Sequence, residues 1–301
     1  MAQLEDQSDV IGRILAIQAL SKNKSQKTID ALRQCLASDP FHGVRMEAAD
    51  ALKSIHTEEA LDALLESSVQ SDARVRLRVQ SAIGGFYNPR ALESAMKTIR
   101  SESNPTIINT AMRSLSGYGN SGIDSILLQY LREPSYRNTH AESAIAAMEK
   151  QDNPVFIMPI LETLMERKGL FSTRGMVNAL SSLAYLGRHQ DDKSMLLSFI
   201  AGRLQDPKSA VRSGAIRALA TLRDPKAIAI LEKWMSADSD SPEYKAAQTA
   251  ISNLRKMALP GEDLKGLRNK IQTMESDQKL MHTNLNDLKK KMEALSTRPV
   301  P

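Results

Sequence analysis

The chain has 301 residues, 42% of them apolar and 4% aromatic, and 40 Lys and Arg against 35 Asp and Glu give it a formal net charge of +5. So few aromatics suit many thin aliphatic layers better than one thick globular core. No apolar run approaches the ~20 residues that span a bilayer, the opening Met1 to Asp6 lacks the basic and apolar regions of a signal peptide, and Cys35, the single cysteine, rules out an internal disulfide and a cysteine-based metal cluster.

The charge is spread, not clustered. Residues 259–301 hold eight Lys and Arg against six Asp and Glu, which leaves 32 against 29 for the rest. Those charges are interspersed in sign, as on a solvated face, and no clustered basic stripe of the kind that tracks phosphates is read from them. The expectation is a cytoplasmic protein with no membrane partner and no nucleic-acid partner.

One phrase organises the chain: small, two spacers, small, aliphatic, two spacers, aliphatic. It is clearest at Ala48-Ala51-Leu52-Ile55, Ala215-Ala218-Leu219-Leu222 and Ala247-Ala250-Ile251-Leu254, and variants return around Ala19, Ala82, Ser114, Ala144 and Ala179. The anchors at 19, 51, 82, 114, 144, 179, 218 and 250 are 30 to 39 residues apart, so the unit occurs eight times. Spacings of three and four put the phrase on one helix face. Small residues there let a helix approach two neighbours closely, and the aliphatic ones fill the space beside them. A period near 32 predicts stacked helix pairs in which each unit buries its apolar side against the next.

In chain order, residues 1–8 read as a flexible N-terminus and residues 9–258 as the repeat region. The first repeat predicts a helix through Ile11, Ile14 and Ile17, a polar turn at Lys22 to Ser25, and a second helix with Ile29, Leu32 and Leu36 inward. Cys35 lies on that helix as a small buried hydrophobe, with no cationic cluster to lower its pKa. Asp39-Pro40, Asn88-Pro89, Asn104-Pro105, Asn153-Pro154, Asp206-Pro207, Asp224-Pro225 and Ser241-Pro242 punctuate the repeats, since a short polar side chain caps exposed amides and proline is preset for a first helical position. Gly84-Gly85 indicates a tight contact or local bend, and Pro159, five residues after Pro154, must kink its helix or delay its start. Extra residues at 166–173 and 187–192 predict enlarged loops on one side, and Trp234, beside Leu231 and Met235, reads as packing.

Beyond Leu259-Pro260-Gly261 the pattern changes. Apolar residues at 264, 267, 271, 274, 281, 285, 288, 292 and 295 alternate by three and four, with Gln278 in the gap, a heptad seam about 48 Å long if helical. It either folds back as a capping helix or, the favoured reading, pairs in a coiled coil through 264–295, with self-association as one form of that pairing.

Val44-Arg45 before Ala48, repeated as Val75-Arg76 and Val211-Arg212, followed by Ala-xx-Ala-Leu-xx-Ile, a turn and Ala60-Leu61-xx-Leu64-Leu65, resembles the HEAT-like repeat also seen in phycobilisome-lyase-type proteins. The likeness covers about residues 9–258 and implies a structural part for these arginines between layers. The expected fold is all-α: a right-handed, armadillo-like α-solenoid of about eight HEAT-like helix pairs, then the heptad helix of 259–301.

Catalytic signatures are missing. Histidines 42, 56, 140, 189 and 282 are scattered, none with another four residues away, so there is no zinc helix of the His-Glu-x-x-His kind. Their acidic neighbours supply two metal ligands at most, short of the usual three or four. Gly117 to Gly122 spells G-x-G-x-x-G, but it follows a helical phrase and not a strand, so it reads as an inter-helix turn. No G-x-S-x-G elbow or phosphate-cradling G-x-x-x-x-G-K occurs. The chain is expected to be no enzyme and to carry no catalytic, cofactor-binding or metal-binding residue.

A second resemblance spans nearly the whole chain. Asp9-Val10-Ile11-Gly12-Arg13-Ile14 with Ala16, Ala19 and Leu20, then Ser38-Asp39-Pro40-Phe41-His42-Gly43-Val44-Arg45, the later repeats and the charged leucine-rich tail are similar to the C-terminal solenoid of bacterial membrane-alanyl-aminopeptidase-like zinc metallopeptidases. It implies an accessory region beside an upstream metallopeptidase domain, with no peptidase residue in this chain.

The leading expectation is a scaffold whose second helices line a concave surface for a protein or peptide. Asp30, Asp62 and Glu93 occupy matching outward positions there, and Gln34, Glu66, Lys97 and Gln129 form the next row. The aminopeptidase accessory domain is the alternative, and a DNA-binding HEAT-like solenoid a minor third.

Overall fold

In a computed structural model the chain is described over residues 2–119, 121–236 and 239–257, and at six isolated positions between 271 and 282. Every element among the described residues is helical. In chain order these are α1 (Ala2–Glu5), α2 (Val10–Leu20), α3 (Gln26–Ser38), α4 (His42–Ile55), α5 (Glu58–Glu66), α6 (Ala73–Ile83), α7 (Pro89–Ser101), α8 (Pro105–Ser114), α9 (Ser121–Arg132), α10 (Thr139–Gln151), α11 (Ile157–Glu166), α12 (Thr173–Gly187), α13 (Ser194–Gly202), α14 (Ser209–Leu222), α15 (Lys226–Glu232) and α16 (Pro242–Met257). The chain divides into two compact units, residues 1–222 and 223–301. The first unit ends with α14, and Arg223 just past it stands in left-handed backbone at φ 56°.

Within the first unit the even-numbered helices α2 to α14 carry the small-aliphatic phrase and pack side by side in one layer. The odd-numbered second helices lie behind them, most leaning mainly on the first helix of the following repeat, as α3 does on α4 and α9 on α10, whereas α5 leans more on α4 of its own repeat. The phrase produces this layer because its small residues sit at the points of closest approach. Ala48, Ala111, Ala144 and Ala215 are fully buried, and so are Leu52, Leu115, Leu180 and Leu219 beside them. Burying one such leucine is worth about 1.5–3 kcal/mol. At the end of the stack the rule lapses: α2 has a repeat on one side only, and Ile11 and Leu15 are 72% and 58% exposed. In the segment expected to be flexible, Ala2–Glu5 form a helical turn, and Leu4 packs against the core.

The punctuation works locally as chemistry requires. The side chains of Asp39, Asn88, Asn104, Asn153, Asp206 and Asp224 each accept the backbone N–H two residues on, at 2.8 to 3.1 Å, and Ser241 Oγ accepts that of Tyr244. Pro159 delays its helix: a 3-10 turn at Pro154–Phe156 precedes α11, leaving this proline in the first turn, where no N–H is needed. Gly84 ends α6 in tight contact, since a Cβ there would lie 2.6 Å from Ser114 Cβ.

In the second unit α15 packs on α16, whose Ala247, Ala250, Ile251 and Leu254 are buried, and Trp234 is half-buried. Most of the heptad segment 264–295 lies outside the described residues. Its described seam positions Ile271, Met274 and Met281 are helical and 51%, 68% and 65% exposed.

Candidate protein-binding surfaces

The arginine of the Val-Arg pairs is built into the fold. Arg13, Arg45, Arg76 and Arg212 stand at equivalent positions, and the Nη1 of each donates to a backbone carbonyl six or seven residues earlier, Asp6, Asp39, Gln70 and Asp206 respectively. Arg13 and Arg76 also reach a carboxylate 26 residues ahead, Asp39 at 2.8 Å and Glu102 at 2.9 Å. The guanidinium thereby satisfies the turn before its own helix and the turn opening the next repeat. Beside Arg76, and with backbone N–H groups of Asn104 and Ser103 donating to it, the Glu102 carboxyl is held below its usual range.

The other polar groups singled out in the sequence are structural too. Cys35 is buried, and burial pushes its thiol up. His140 is 6% exposed, with Nδ1 2.8 Å from Asn109 Oδ1 and its ring edge-on to Tyr130, and burial holds it below the ordinary histidine value. His56 caps α4 in left-handed backbone and stacks on Phe86. Among the described residues no group of three His, Cys, Asp or Glu is placed to hold a metal ion, and no helix is long and apolar enough to cross a membrane.

On the second helices, Asp30, Gln34, Glu66, Glu93, Lys97 and Gln129 are exposed and Asp62 is half-buried. Several are already engaged between repeats. Asp62 and Glu58 both pair with Arg90 of the next repeat and Glu66 lies 3.4 Å from Arg33, while Asp30 accepts from Gln26 on its own helix. The acidic row is therefore partly neutralised by arginines, whereas Lys97 stands on α7 one turn beyond Glu93.

The enlarged loops differ from each other. Arg188 ties the 187–192 loop to the preceding repeat through Asp152 at 2.6 Å and lies 3.6 Å over the Tyr185 ring. The 166–173 loop instead borders a cavity of about 470 Å³ that it shares with residues 202–208, with Phe171 buried at its edge.

A further concavity was not foreseen. Between α4, α6 and α8 a groove of about 600 Å³ is lined by Met46, Leu77, Arg74, Arg78, Thr110 and Arg113 among others. Its signal in the sequence is only that Arg78 and Thr110 fall at one repeat offset, and Ser81 and Arg113 at another. The residue types change from repeat to repeat, so periodicity does not mark them.

Set against known proteins, the chain matches the HEAT repeats family over residues 1–84 and 176–252. The chain belongs to the HEAT repeat family, and its fold is an all-α solenoid. Among solved structures it is similar to Kap121p bound to Ste12p, with a TM-score of 0.63 and 14% identity over 84% of this chain, and it spans only 32% of that chain. Kap121p bound to the extreme C-terminus of the phosphatase Cdc14p matches equally, at 0.63 and 14% over 82% of this chain and 32% of the other. The CpcE–CpcF complex of phycocyanin lyase from a Nostoc species gives 0.45 and 18%, over 84% of this chain and 92% of the other. A search of the curated proteins finds no match. The aminopeptidase resemblance stands on its sequence elements alone.

Proposed function

We propose that the chain is a non-enzymatic HEAT-repeat scaffold that binds a protein or peptide on a concave face formed by its second helices. The observation that carries this is the pair of side-chain rows that recur at offsets of 31 or 32 residues, one on α3, α5 and α7 and the other on α3, α5, α7 and α9. Asp30, Asp62 and Glu93 form one, and Gln34, Glu66, Lys97 and Gln129 the other. A stack of helix pairs offers an extended surface of regular pitch, and such surfaces suit partners that also repeat or extend. Kap121p, which has the same fold class, is seen with Ste12p and with the C-terminus of Cdc14p, and that supports a polypeptide partner here.

The test is affinity capture from the native lysate with the full chain, compared with Glu66→Lys and Lys97→Glu variants. A stoichiometric protein retained by the unaltered chain and lost from both variants supports the reading. Equal recovery by all three, or no stoichiometric protein, overturns it.

A further inference from the structure

We propose that the groove between α4, α6 and α8 is a second docking site, for an extended peptide whose acidic side chain is received by Arg113 and whose apolar neighbour rests on Met46 and Leu77. This goes beyond the second-helix reading, because the groove is built from first helices only.

Charge is the first argument. Arg74, Arg78 and Arg113 line the groove, and no carboxylate does. Two of these cations are matched at the rim: Arg74 pairs with Asp72 at 2.7 Å, and Arg78 lies 3.4 Å from Asp50. Arg113 differs. Its guanidinium is exposed and is held by two hydroxyls, Thr110 Oγ1 at 3.0 Å and Ser143 Oγ at 3.3 Å, neither of which carries charge. A guanidinium has five N–H donors in a planar fork, so a carboxylate can still add a charge-assisted bond that the hydroxyls do not supply. The hydroxyls also hold the side chain in place before a ligand arrives, which lowers the ordering cost of binding.

Shape is the second argument. Met46 and Leu77 are half-buried and bring an apolar, adaptable surface to the groove beside the charged wall. One apolar contact next to one charged contact is what consecutive side chains of an extended peptide can meet.

The layer also explains why the groove lies here and not further along. At the position where α6 has Arg78 and α8 has Thr110, α12 and α14 have the buried Gly175 and Gly214. A Cβ on Gly175 would overlap the Glu142 carboxylate at 1.6 Å, and one on Gly214 would meet Val177 at 2.9 Å. Glycine at 214 lets α12 and α14 close up, while the bulkier residues on α6 and α8 leave a channel.

Fluorescence anisotropy on the full chain tests this, using a fluorescein-labelled decapeptide of alternating Glu and Leu. A Lys-Leu peptide and a ten-nucleotide oligothymidylate serve as competing chemistries. Saturable binding of the Glu-Leu peptide alone is expected, weakened at least ten-fold by Arg113→Ala and also weakened by Met46→Ala, with unchanged thermal melting and with Lys97→Glu without effect. Absence of saturable binding, equal or tighter binding of either competitor, or full affinity in both Arg113→Ala and Met46→Ala would overturn the site. None of those results bears on capture through Glu66 and Lys97, so the two readings fail separately.

Discussion

Arg13 and Asp39 lie 26 residues apart and meet in a pair almost sealed from water, Nε to Oδ2 at 2.8 Å and Nη2 to Oδ1 at 3.3 Å, with side chains 1% and 6% exposed. The same interval joins Arg76 to Glu102, so one bond type bridges successive repeats at two different steps. Removing one partner of a buried pair strands the other charge at a cost of about 3–5 kcal/mol, whereas replacing both by apolar groups costs far less. Asp39→Asn is therefore expected to destabilise by about 3 kcal/mol, and Arg13→Met with Asp39→Leu by less than that single change. Urea unfolding followed by circular dichroism checks both; a single-variant loss under about 1 kcal/mol would contradict the account.

Ser71 occupies the corresponding position, 26 residues after Arg45, and Arg45 Nε is buried without a hydrogen-bond partner. Ser71→Glu supplies the missing acceptor at an exposed site. The expected gain is about 0.5 kcal/mol, in line with a partly exposed pair, seen as a higher urea midpoint at unchanged slope. The same substitution in an Arg45→Met background should give no gain.

Acid should weaken the fold through two groups at different pH. Glu102 is depressed below its usual value by Arg76, so its stabilising bond is fully present above about pH 4.5 and is lost as pH falls through the lower folded value. The stability gap between the protein and Glu102→Gln should thus be about 1–3 kcal/mol near neutrality and close toward pH 3. Buried His140 is also depressed, so the folded state resists its protonation, and stability begins to fall below about pH 6.5. His140→Gln should remove that upper phase and leave the lower one.

Glycine at the helix contact is a packing requirement at Gly214, whose added Cβ meets the branched Val177 side chain. Gly214→Val is expected to cost about 1–3 kcal/mol through overpacking. Gly202→Ala, where a Cβ meets nothing within 4 Å, is the control and should stay within about 0.5 kcal/mol. Thermal melting separates the two.

The heptad seam of 264–295 is expected to pair with a second copy of the chain. Ile271, Met274 and Met281, its described members, are helical and more than half exposed, which leaves an apolar stripe to cover. Light scattering on the full chain should report a dimer that dissociates on combined Ile271→Asp and Leu285→Asp substitution. Equal masses would refute the pairing.

Much of the fold was legible because its determinants are local. Ala48, Ala51 and Leu52 announce a close-packed helix by spacing alone, and Asn104-Pro105 announces where a helix opens because its side chain caps an amide two residues away. The surface was less legible. The rows at Asp62 and Glu66 could be placed by repeat offset, but their engagement by Arg90 and Arg33 depends on how far apart neighbouring second helices lie. The groove residues Met46, Leu77 and Arg113 share no residue type, so no repeat pattern marks them.

The amino-acid order by itself determined the first helices of the repeats and the caps that open their neighbours, since hydrogen bonds and apolar periodicity act over two to four residues. Only the tertiary structure decided that Arg13 and Asp39 meet almost sealed from water, that Gly214 closes α14 onto α12, and that a channel opens beside Arg113. Those outcomes turn on separations of a few ångströms between helices some thirty residues apart, and such separations come from the packing of several repeats at once.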